Sequence, residues 1–236
     1  MLPGLIPTIA PVPPIKASLL LHMDGANASQ VFVDSSLNNL AINVAGNAQI
    51  DTSTFVFGGA AGTFDGTGDY IYSDDPKAFL FPGDFTIEGR VRCTNETTAG
   101  RPIFDTRAVS GGKGFYLVLN ASESLVLSTS TTAGGNDVQR QVSSALTAGT
   151  WYGFAVCRAS GTSRCFLDGT VFGSSFSDSE VFAASAMTIG AFINTRDTSG
   201  PNNKFKGNLD EFRVSPKLAR YTGNYTLAGS AFTRYG

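Results

Sequence analysis

Carboxylate side chains are the first candidates for chemistry in this chain, because a glycoside hydrolase needs two of them flanking the scissile bond. On one β-strand, such a pair must occupy alternating positions. The segment FTIEGRV contains a single acid, Glu88, whose neighbours on the same side include Thr86 and Arg90. Asp210 and Glu211 are adjacent, so we expect them to point to opposite faces of a strand. The sequence therefore predicts no catalytic acid pair and no enzyme.

Histidine chemistry is limited by number, since His22 is the one histidine of the chain. A zinc site needs several histidine or cysteine ligands at close spacing, and LLLHMDG offers His22 alone. Serine hydrolase chemistry would also have to use this residue, and the sequence has no G-x-S-x-G turn. We therefore expect His22 to pack within or at the edge of a strand.

The three cysteines are an odd number, which suits a reducing compartment better than a set of disulfides. The segment WYGFAVCRASGTSRCFLDG predicts a hairpin that turns around Gly161 and places Cys157 directly opposite Cys165. Cross-strand neighbours lie slightly too far apart for an easy disulfide. Two interpretations stay open, a pair of reduced thiols or a disulfide that forms late.

Composition excludes some partner classes. The 236 residues carry a formal net charge of -2, so there is no basic excess for binding nucleic acid. No run of about 18 apolar residues occurs, and we expect no membrane partner. The start of the chain has no positive leader segment and several prolines, which argues against a cleaved signal peptide.

From residue 18 onward, apolar and polar residues alternate in about a dozen short segments with turns between them. In FTIEGRV, Phe85, Ile87 and Val91 fall on one face of the predicted strand, and Thr86 and Glu88 fall on the other. We find no convincing amphipathic helix. Strand number and turn spacing predict an all-β fold with two sheets packed face to face.

Residues 1–17 differ from the rest, because five of the ten prolines lie in the first 14 residues. Such a segment is extended and cannot enter the interior of a sheet. We interpret it as an anchoring arm that lies on another subunit, with a disordered tail as the alternative. The apolar residues predicted to bind this partner are Leu2, Leu5, Ile6, Ile9, Val12 and Ile15.

The order of several segments resembles the laminin G-like, concanavalin A-like jelly roll over residues 18–236. They include LLLHMDG, FDGTGDYI, FPGDFTIEGRVR, WYGFAVCRASGTSRCFLDG and LDEFRVSPKLARYTGNYT. The last segment is especially similar to the branch found in virion proteins of tailed bacteriophages. The resemblance implies a sandwich of two antiparallel sheets whose terminal strands pair, and it leaves residues 1–17 uncovered.

Some relatives of this fold carry structural calcium near acids that resemble Asp24 and Asp210. In DEFRV, alternation places Asp210, Phe212 and Val214 on one face, so the carboxylate needs compensation from a cation or from backbone N–H groups. Calcium prefers six to eight oxygens, and two acids are few. Capping of backbone groups is the favoured role for these acids, calcium is the alternative, and we expect no other cofactor.

Sugar binding in this fold uses aromatic rings that stack on a pyranose, and the candidate platforms are Tyr72 and Tyr116. Trp151 corresponds to a tryptophan that packs structurally in the family. The aromatic residues near the C-terminus either fold back over the sandwich or contact another subunit; they are Tyr221, Tyr225, Phe232 and Tyr235.

Taken together, the sequence favours a bacteriophage virion structural protein, a capsid decoration or appendage subunit held by its N-terminal arm. Its expected partners are the major capsid protein or a neighbouring appendage protein, further copies of itself (a trimer being one arrangement), and a host glycan. The expected location is the virion, assembled in the host cytoplasm. The alternative function is a carbohydrate-binding module of a tail or adhesion protein.

Overall fold

The computed structural model describes residues 16–76, 78–94, 100–107, 113–130, 137–184, 186–193 and 204–235. The six apolar residues predicted to anchor the N-terminal arm, Leu2, Leu5, Ile6, Ile9, Val12 and Ile15, lie outside the described residues. The described part contains strands, numbered below in chain order, joined by turns and irregular segments. Among these residues we find no helical segment with the length and apolar character needed to span a bilayer.

Two large antiparallel sheets dominate the fold. Sheet A has the order β14 (Thr170–Ser177), β13 (Thr162–Leu167), β12 (Trp151–Ala159), β7 (Phe85–Cys93), β17 (Lys206–Pro216), β4 (Ala61–Asp65) and β3 (Gln49–Asp51), and β1 (Leu19–Leu21) also pairs with β17. Sheet B has the order β11 (Asp137–Ala145), β10 (Ser124–Ser130), β9 (Gly114–Leu119), β8 (Arg101–Asp105), β16 (Met187–Ile189), β5 (Tyr70–Ser73) and β2 (Asn43–Ala45). A small third sheet joins β15 (Phe182–Ala183) to β6 (Leu80–Phe81).

The inner faces of the two sheets meet in one hydrophobic core, as the alternating pattern predicted. Phe85, Ile87 and Val91 of β7 are buried in it. Phe104 of sheet B stacks at 6.4 Å from Phe154 of sheet A, measured between ring centroids. Each fully buried phenylalanine contributes about 1.5–3 kcal/mol through removal of apolar surface from water. The predicted all-β, jelly-roll sandwich of two antiparallel sheets is confirmed.

The register of the β12–β13 hairpin corrects the prediction for the cysteines. The turn consists of Ser160 and Gly161, both with positive φ, so Ala159 pairs with Thr162. This two-residue turn sets Cys157 opposite Arg164 rather than opposite Cys165. A shift of one residue sends a side chain to the other face of a sheet. Cys165 therefore lies in the core between the sheets, Cys157 lies on the outer face of sheet A, and both are free thiols.

A bulge in β17 corrects the prediction for Asp210. The pairing with β7 shifts between Asp210 and Arg213, where Glu211 has a φ of 51°. Alternation is broken at this point. Phe212 and Val214 face the core, while Asp210 pairs with Arg90 of β7 instead of sharing their apolar face. The bulge therefore removes the predicted conflict between a carboxylate and the hydrophobic core.

The C-terminal segment 217–235 folds back over the outer face of sheet A. Tyr221 and Tyr225 stack at 3.5 Å between ring centroids and pack against Phe166 of β13. Farther along, Phe232 packs against Leu20 of β1. Tyr221, Tyr225 and Phe232 therefore fold back over the sandwich, which was one of the two alternatives for these aromatic residues.

Candidate functional site

One row of residues across the outer face of sheet B brings both candidate sugar platforms together. Strand pairing places Tyr72 opposite Asn43 on one side and opposite Thr188 on the other. The row continues from Thr188 to Asp105 and from Asp105 to Tyr116. Neighbouring strands lie about 4.8 Å apart, so the two tyrosines are separated by roughly 14 Å. This distance is on the scale of a short oligosaccharide.

Tyr116 forms part of a packed cluster. The Arg107 guanidinium lies 4.1 Å from the centroid of its ring, and Phe192 meets the ring edge-on at 5.3 Å. Arg107 is held there by Asp105, with 2.8 Å between Nη2 and Oδ2. Tyr116 is consequently only 9% exposed. Tyr116 therefore stands at one end of the row, next to Asp105, and exposes little ring surface on which a sugar could stack.

Tyr72 is the more accessible of the two rings. It is half-buried, and its inner neighbour in the strand, Ile71, is fully buried in the core. The Tyr70 ring lies 5.9 Å from the Tyr72 ring on the same side of the sheet. The Lys204 ammonium lies 4.8 Å from the centroid of Tyr70. Tyr70, with Lys204 over its ring, thus lies against one side of Tyr72.

A cleft of about 530 Å³ lies next to Tyr72 at this edge of sheet B. We call it the Asn/Asp cleft, because amide and carboxylate residues predominate among those that line it: Asn38, Asn39, Leu40, Ala41, Asn43, Ser73, Asp74, Asp75 and Pro76. Asn43 is the direct cross-strand neighbour of Tyr72, and Ser73 follows Tyr72 in the chain. Polar groups therefore line the cleft, and Tyr72 adjoins two of the residues that line it.

A buried carboxylate shapes the loop that forms one wall of the Asn/Asp cleft. Oδ1 of Asp34 accepts the N–H groups of Leu20 and Ser36, and Oδ2 accepts the Leu40 N–H at 2.8 Å. The Asn38 amide donates to the Ser18 carbonyl at 2.9 Å. These bonds fix the loop before any ligand binds. Sequence reasoning missed this cleft, although the Asn38–Asn39 pair and the Asp74–Asp75 pair before Pro76 were visible signals.

The two calcium candidates lie near one another, but their surroundings suit a capping role. Oδ2 of Asp210 accepts the N–H groups of Val56 at 2.7 Å and Phe57 at 3.1 Å. Burial raises the pKa of the Asp210 carboxyl to about 6. Asp24 is more exposed, and desolvation also raises the pKa of its carboxyl. The described residues contain no group of three acids, histidines or cysteines that could hold a metal. Two acids, one of them bonded to N–H donors, do not fit calcium well.

The remaining sequence candidates have structural contacts. Glu88 is buried and paired with Arg213, with 2.7 Å between Oε1 and Nη2. His22 lies 2.8 Å from Oε1 of Glu211, and this hydrogen bond is the main cause of the raised pKa of the His22 imidazole. Trp151 is half-buried at the start of β12 and donates its indole N–H to Thr54 at 3.2 Å.

Comparison with known families gives a match over residues 65–219, well over half of the chain, to the concanavalin A-like lectin/glucanases superfamily. The chain belongs to this superfamily. The matched region covers most strands of both sheets, including β5 with Tyr72 and β9 with Tyr116. A search of curated proteins finds no match to this concanavalin A-like chain.

Similar solved structures include domains of larger proteins. One is domain 4 of AbnA, a GH43 extracellular arabinanase from Geobacillus stearothermophilus, in complex with arabinotriose. Its TM-score to this chain is 0.63 and the sequence identity is 16%. The aligned region covers 86% of this chain and 93% of the AbnA domain. The binding domain of Paraclostridial Mosquitocidal Protein 1 also has a TM-score of 0.63 and 16% identity, covering 87% of this chain and 50% of that one.

The binding domain of botulinum neurotoxin serotype D has a TM-score of 0.61 at 12% identity, covering 86% of this chain and 49% of that one. The present concanavalin A-like chain thus spans about half the length of the two toxin domains. At these identities the likeness establishes the shared fold. It also places a domain of a glycoside hydrolase among the structural neighbours, together with the toxin binding domains.

Proposed function

We propose that this chain is a non-enzymatic carbohydrate-binding module, and that its sugar site is the Asn/Asp cleft beside Tyr72. The observation that carries the proposal is the juxtaposition of a partly exposed tyrosine ring with a cleft of about 530 Å³ lined by amides and carboxylates. Sugar hydroxyls need polar partners in a fixed orientation, and the C–H face of a pyranose stacks on an aromatic ring. The cleft supplies the polar partners, and Tyr72, next to Asn43 and Ser73 of its lining, supplies the ring.

Two further observations support the proposal. Domain 4 of AbnA forms a complex with arabinotriose. Cell entry of botulinum neurotoxin type C depends on interaction with two ganglioside molecules. In this chain, the buried acid Glu88 is bonded to Arg213 and to the Tyr221 hydroxyl. A carboxylate in this environment is positioned for packing rather than for protonating a leaving group, which supports binding without hydrolysis.

Replacement of Tyr72 by alanine tests the site. We expect Tyr72→Ala to weaken binding of the best ligand on a neutral glycan array about tenfold, a loss of about 1.4 kcal/mol, because the stacking surface is removed. Isothermal titration with the selected glycan measures the change. Phe55→Ala is the matched control, since Phe55 is an aromatic side chain, 45% exposed, whose chain neighbours do not line the cleft, whereas Tyr72 adjoins the lining residues Asn43 and Ser73. Equal affinity of Tyr72→Ala and wild type would contradict the proposed site.

We propose further that the module is displayed on a bacteriophage virion and attached through the predicted arm, residues 1–17, to the major capsid protein or a neighbouring appendage protein. The motivation is the five prolines and six apolar residues of the predicted arm, together with the closing segment that resembles virion proteins. Assembly in the host cytoplasm and a homo-oligomer, with a trimer as one arrangement, belong to the same proposal.

Contacts of the first described residues limit the deletion that tests the arm. Ala17 donates its N–H to the Arg234 carbonyl at 2.9 Å and packs against Phe232, so the folded body already includes residue 17. We expect a variant lacking residues 1–15 to keep the thermal stability of the full chain and to be lost from purified particles, as measured by quantitative mass spectrometry. Full incorporation of this variant would contradict attachment through the arm.

A further inference from the structure

A second cleft, of about 560 Å³, lies between sheet A and the C-terminal segment that covers it. We call it the arginine cleft. Its lining includes Arg213, Arg220, Tyr221, Thr226, Ser230 and Tyr235. Apart from Arg213 of β17, every one of these residues belongs to segment 217–235. The arginine cleft and the Asn/Asp cleft share no lining residue.

Arg213 and Arg220 are the two charged residues among the described residues that line the arginine cleft. Both contact one carboxylate: Oε1 of Glu88 lies 2.7 Å from Nη2 of Arg213 and 3.3 Å from Nε of Arg220. The second oxygen of Glu88 accepts the Tyr221 hydroxyl at 2.7 Å. Two guanidinium groups therefore share one negative charge, and this cluster keeps an excess of one positive charge.

Glu211, an acid that contacts the cleft residue Phe232, has other partners. Its Oε1 lies 2.8 Å from His22, and its Oε2 accepts the Phe232 N–H at 2.6 Å. Arg220 makes its remaining contacts with a neutral group, the Ser215 hydroxyl, at 3.0 Å from Nη2. Burial and the neighbouring Arg213 lower the pKa of the Arg220 guanidinium, which is the direction expected for two crowded cations. An anion entering the cleft would relieve this repulsion.

We propose that the arginine cleft is a second saccharide site, specific for a sugar that carries one carboxylate. The inference rests on the proposed carbohydrate-binding function and adds the substrate class of a separate site. A guanidinium binds a carboxylate through paired, charge-assisted hydrogen bonds. The Tyr235 side chain, 46% exposed, offers apolar surface for the sugar ring, and Thr226 supplies a hydroxyl at the exposed margin.

The single charge and the size of the cleft select this ligand class. One excess positive charge is neutralised by one carboxylate, whereas a ligand with several phosphates would leave uncompensated negative charge in a largely buried place. A volume of about 560 Å³ is within the range of small-molecule sites. A peptide C-terminus would supply a carboxylate without the ring, and neutral sugars would supply the ring without the charge.

The test compares acidic and neutral oligosaccharides by isothermal titration with the full chain. The probes are 3′-sialyllactose and tri-galacturonic acid, with lactose and a peptide that ends in a free carboxylate as comparisons. We expect at least one acidic sugar to bind ten or more times more tightly than lactose and the peptide, with affinity that falls as salt is raised. Absence of binding by both acidic sugars, or equal binding of lactose or the peptide, would overturn the proposal.

Ser230 provides a matched pair of variants, because it is exposed, lines the cleft and stays outside the Glu88 cluster. We expect Ser230→Asp to weaken acidic-sugar binding at least tenfold by charge repulsion, and Ser230→Asn to stay within about twofold of wild type. Arg220→Gln should weaken the same binding, with Glu88 still held by Arg213. Unchanged affinity in both Ser230→Asp and Arg220→Gln would place the acidic ligand elsewhere.

Tyr72→Ala separates this inference from the proposed function. If both sites exist, Tyr72→Ala loses neutral glycan binding and keeps acidic binding, while Ser230→Asp does the reverse. Loss of both activities in Tyr72→Ala would mean that one site serves both ligands, and the arginine cleft would then have no role in sugar binding. Acidic binding that persists when no neutral glycan binds at all would contradict the Asn/Asp cleft and still support the arginine cleft.

Discussion

Replacement of Arg158 by methionine is expected to destabilise the sandwich by about 3–5 kcal/mol, because it removes one partner from a buried ion pair. Arg158 is a fully buried residue of β12. Its Nε donates to the Gly83 carbonyl at 2.7 Å, and Nη2 donates to the Phe81 carbonyl at 3.0 Å. Nη1 donates to the Glu180 carbonyl at 2.6 Å and to Asp178 at 3.2 Å. Methionine preserves most of the volume and supplies no donor.

The effect should reach the core as well as the loops. The Arg158 guanidinium also lies 5.0 Å from the Phe85 ring centroid and 5.5 Å from that of Phe182. Urea unfolding followed by tryptophan fluorescence measures the loss, and Arg164→Met is the matched control. Arg164 is on the next strand, is half-buried and makes a marginal bond of 3.4 Å to the Thr162 carbonyl. A loss below about 1 kcal/mol in Arg158→Met would show that the buried network contributes little.

The sandwich itself was predictable, because alternation of apolar and polar residues is a local property of the sequence. Phe85, Ile87 and Val91 occupy the predicted face of β7 for this reason. The pairing of the terminal strands, Leu19–Leu21 with β17, also agrees with the expected arrangement. These features need only the period of a strand and the burial of apolar side chains.

Register and bulges were not predictable, because single residues with positive φ decide them. Glu211 at φ 51° shifts the register of β17, and Ser160 at φ 48° sets the hairpin that separates Cys157 from Cys165. Asparagine and glycine favour such conformations, whereas glutamate and serine give no reliable signal for them. The predictions for Asp210 and the two cysteines were wrong for the same physical reason.

The candidate sites depend on contacts between distant parts of the chain. Tyr72 and Tyr116 are 44 positions apart in the sequence, and their common row follows from pairing through β16 and β8. The covering of Tyr116 by Arg107 could not be read from a strand pattern. The arginine cleft was equally hidden, since it requires the C-terminal segment to lie across sheet A.

Replacement of Glu88 by alanine should destabilise the protein by about 3–5 kcal/mol, because it leaves buried guanidinium charge uncompensated. The Glu88 carboxylate accepts Nε and Nη2 of Arg213 at 3.0 and 2.7 Å, and it accepts the Tyr221 hydroxyl at 2.7 Å. Tyr221 in turn stacks on Tyr225, so the lost bond also loosens the segment that covers sheet A. Chemical denaturation measures the change in the free energy of unfolding.

A surface acid provides the control for Glu88. Glu180 pairs with Lys113 at 2.7 Å, but the two side chains are 35% and 49% exposed. Exposed pairs contribute about 0–1 kcal/mol, so Glu180→Ala should cost far less than Glu88→Ala. Equal losses would mean that the shared carboxylate does not organise the outer face of sheet A. A large loss at Glu88 alone would show that this acid, shared by Arg213 and Arg220, holds the C-terminal segment against sheet A.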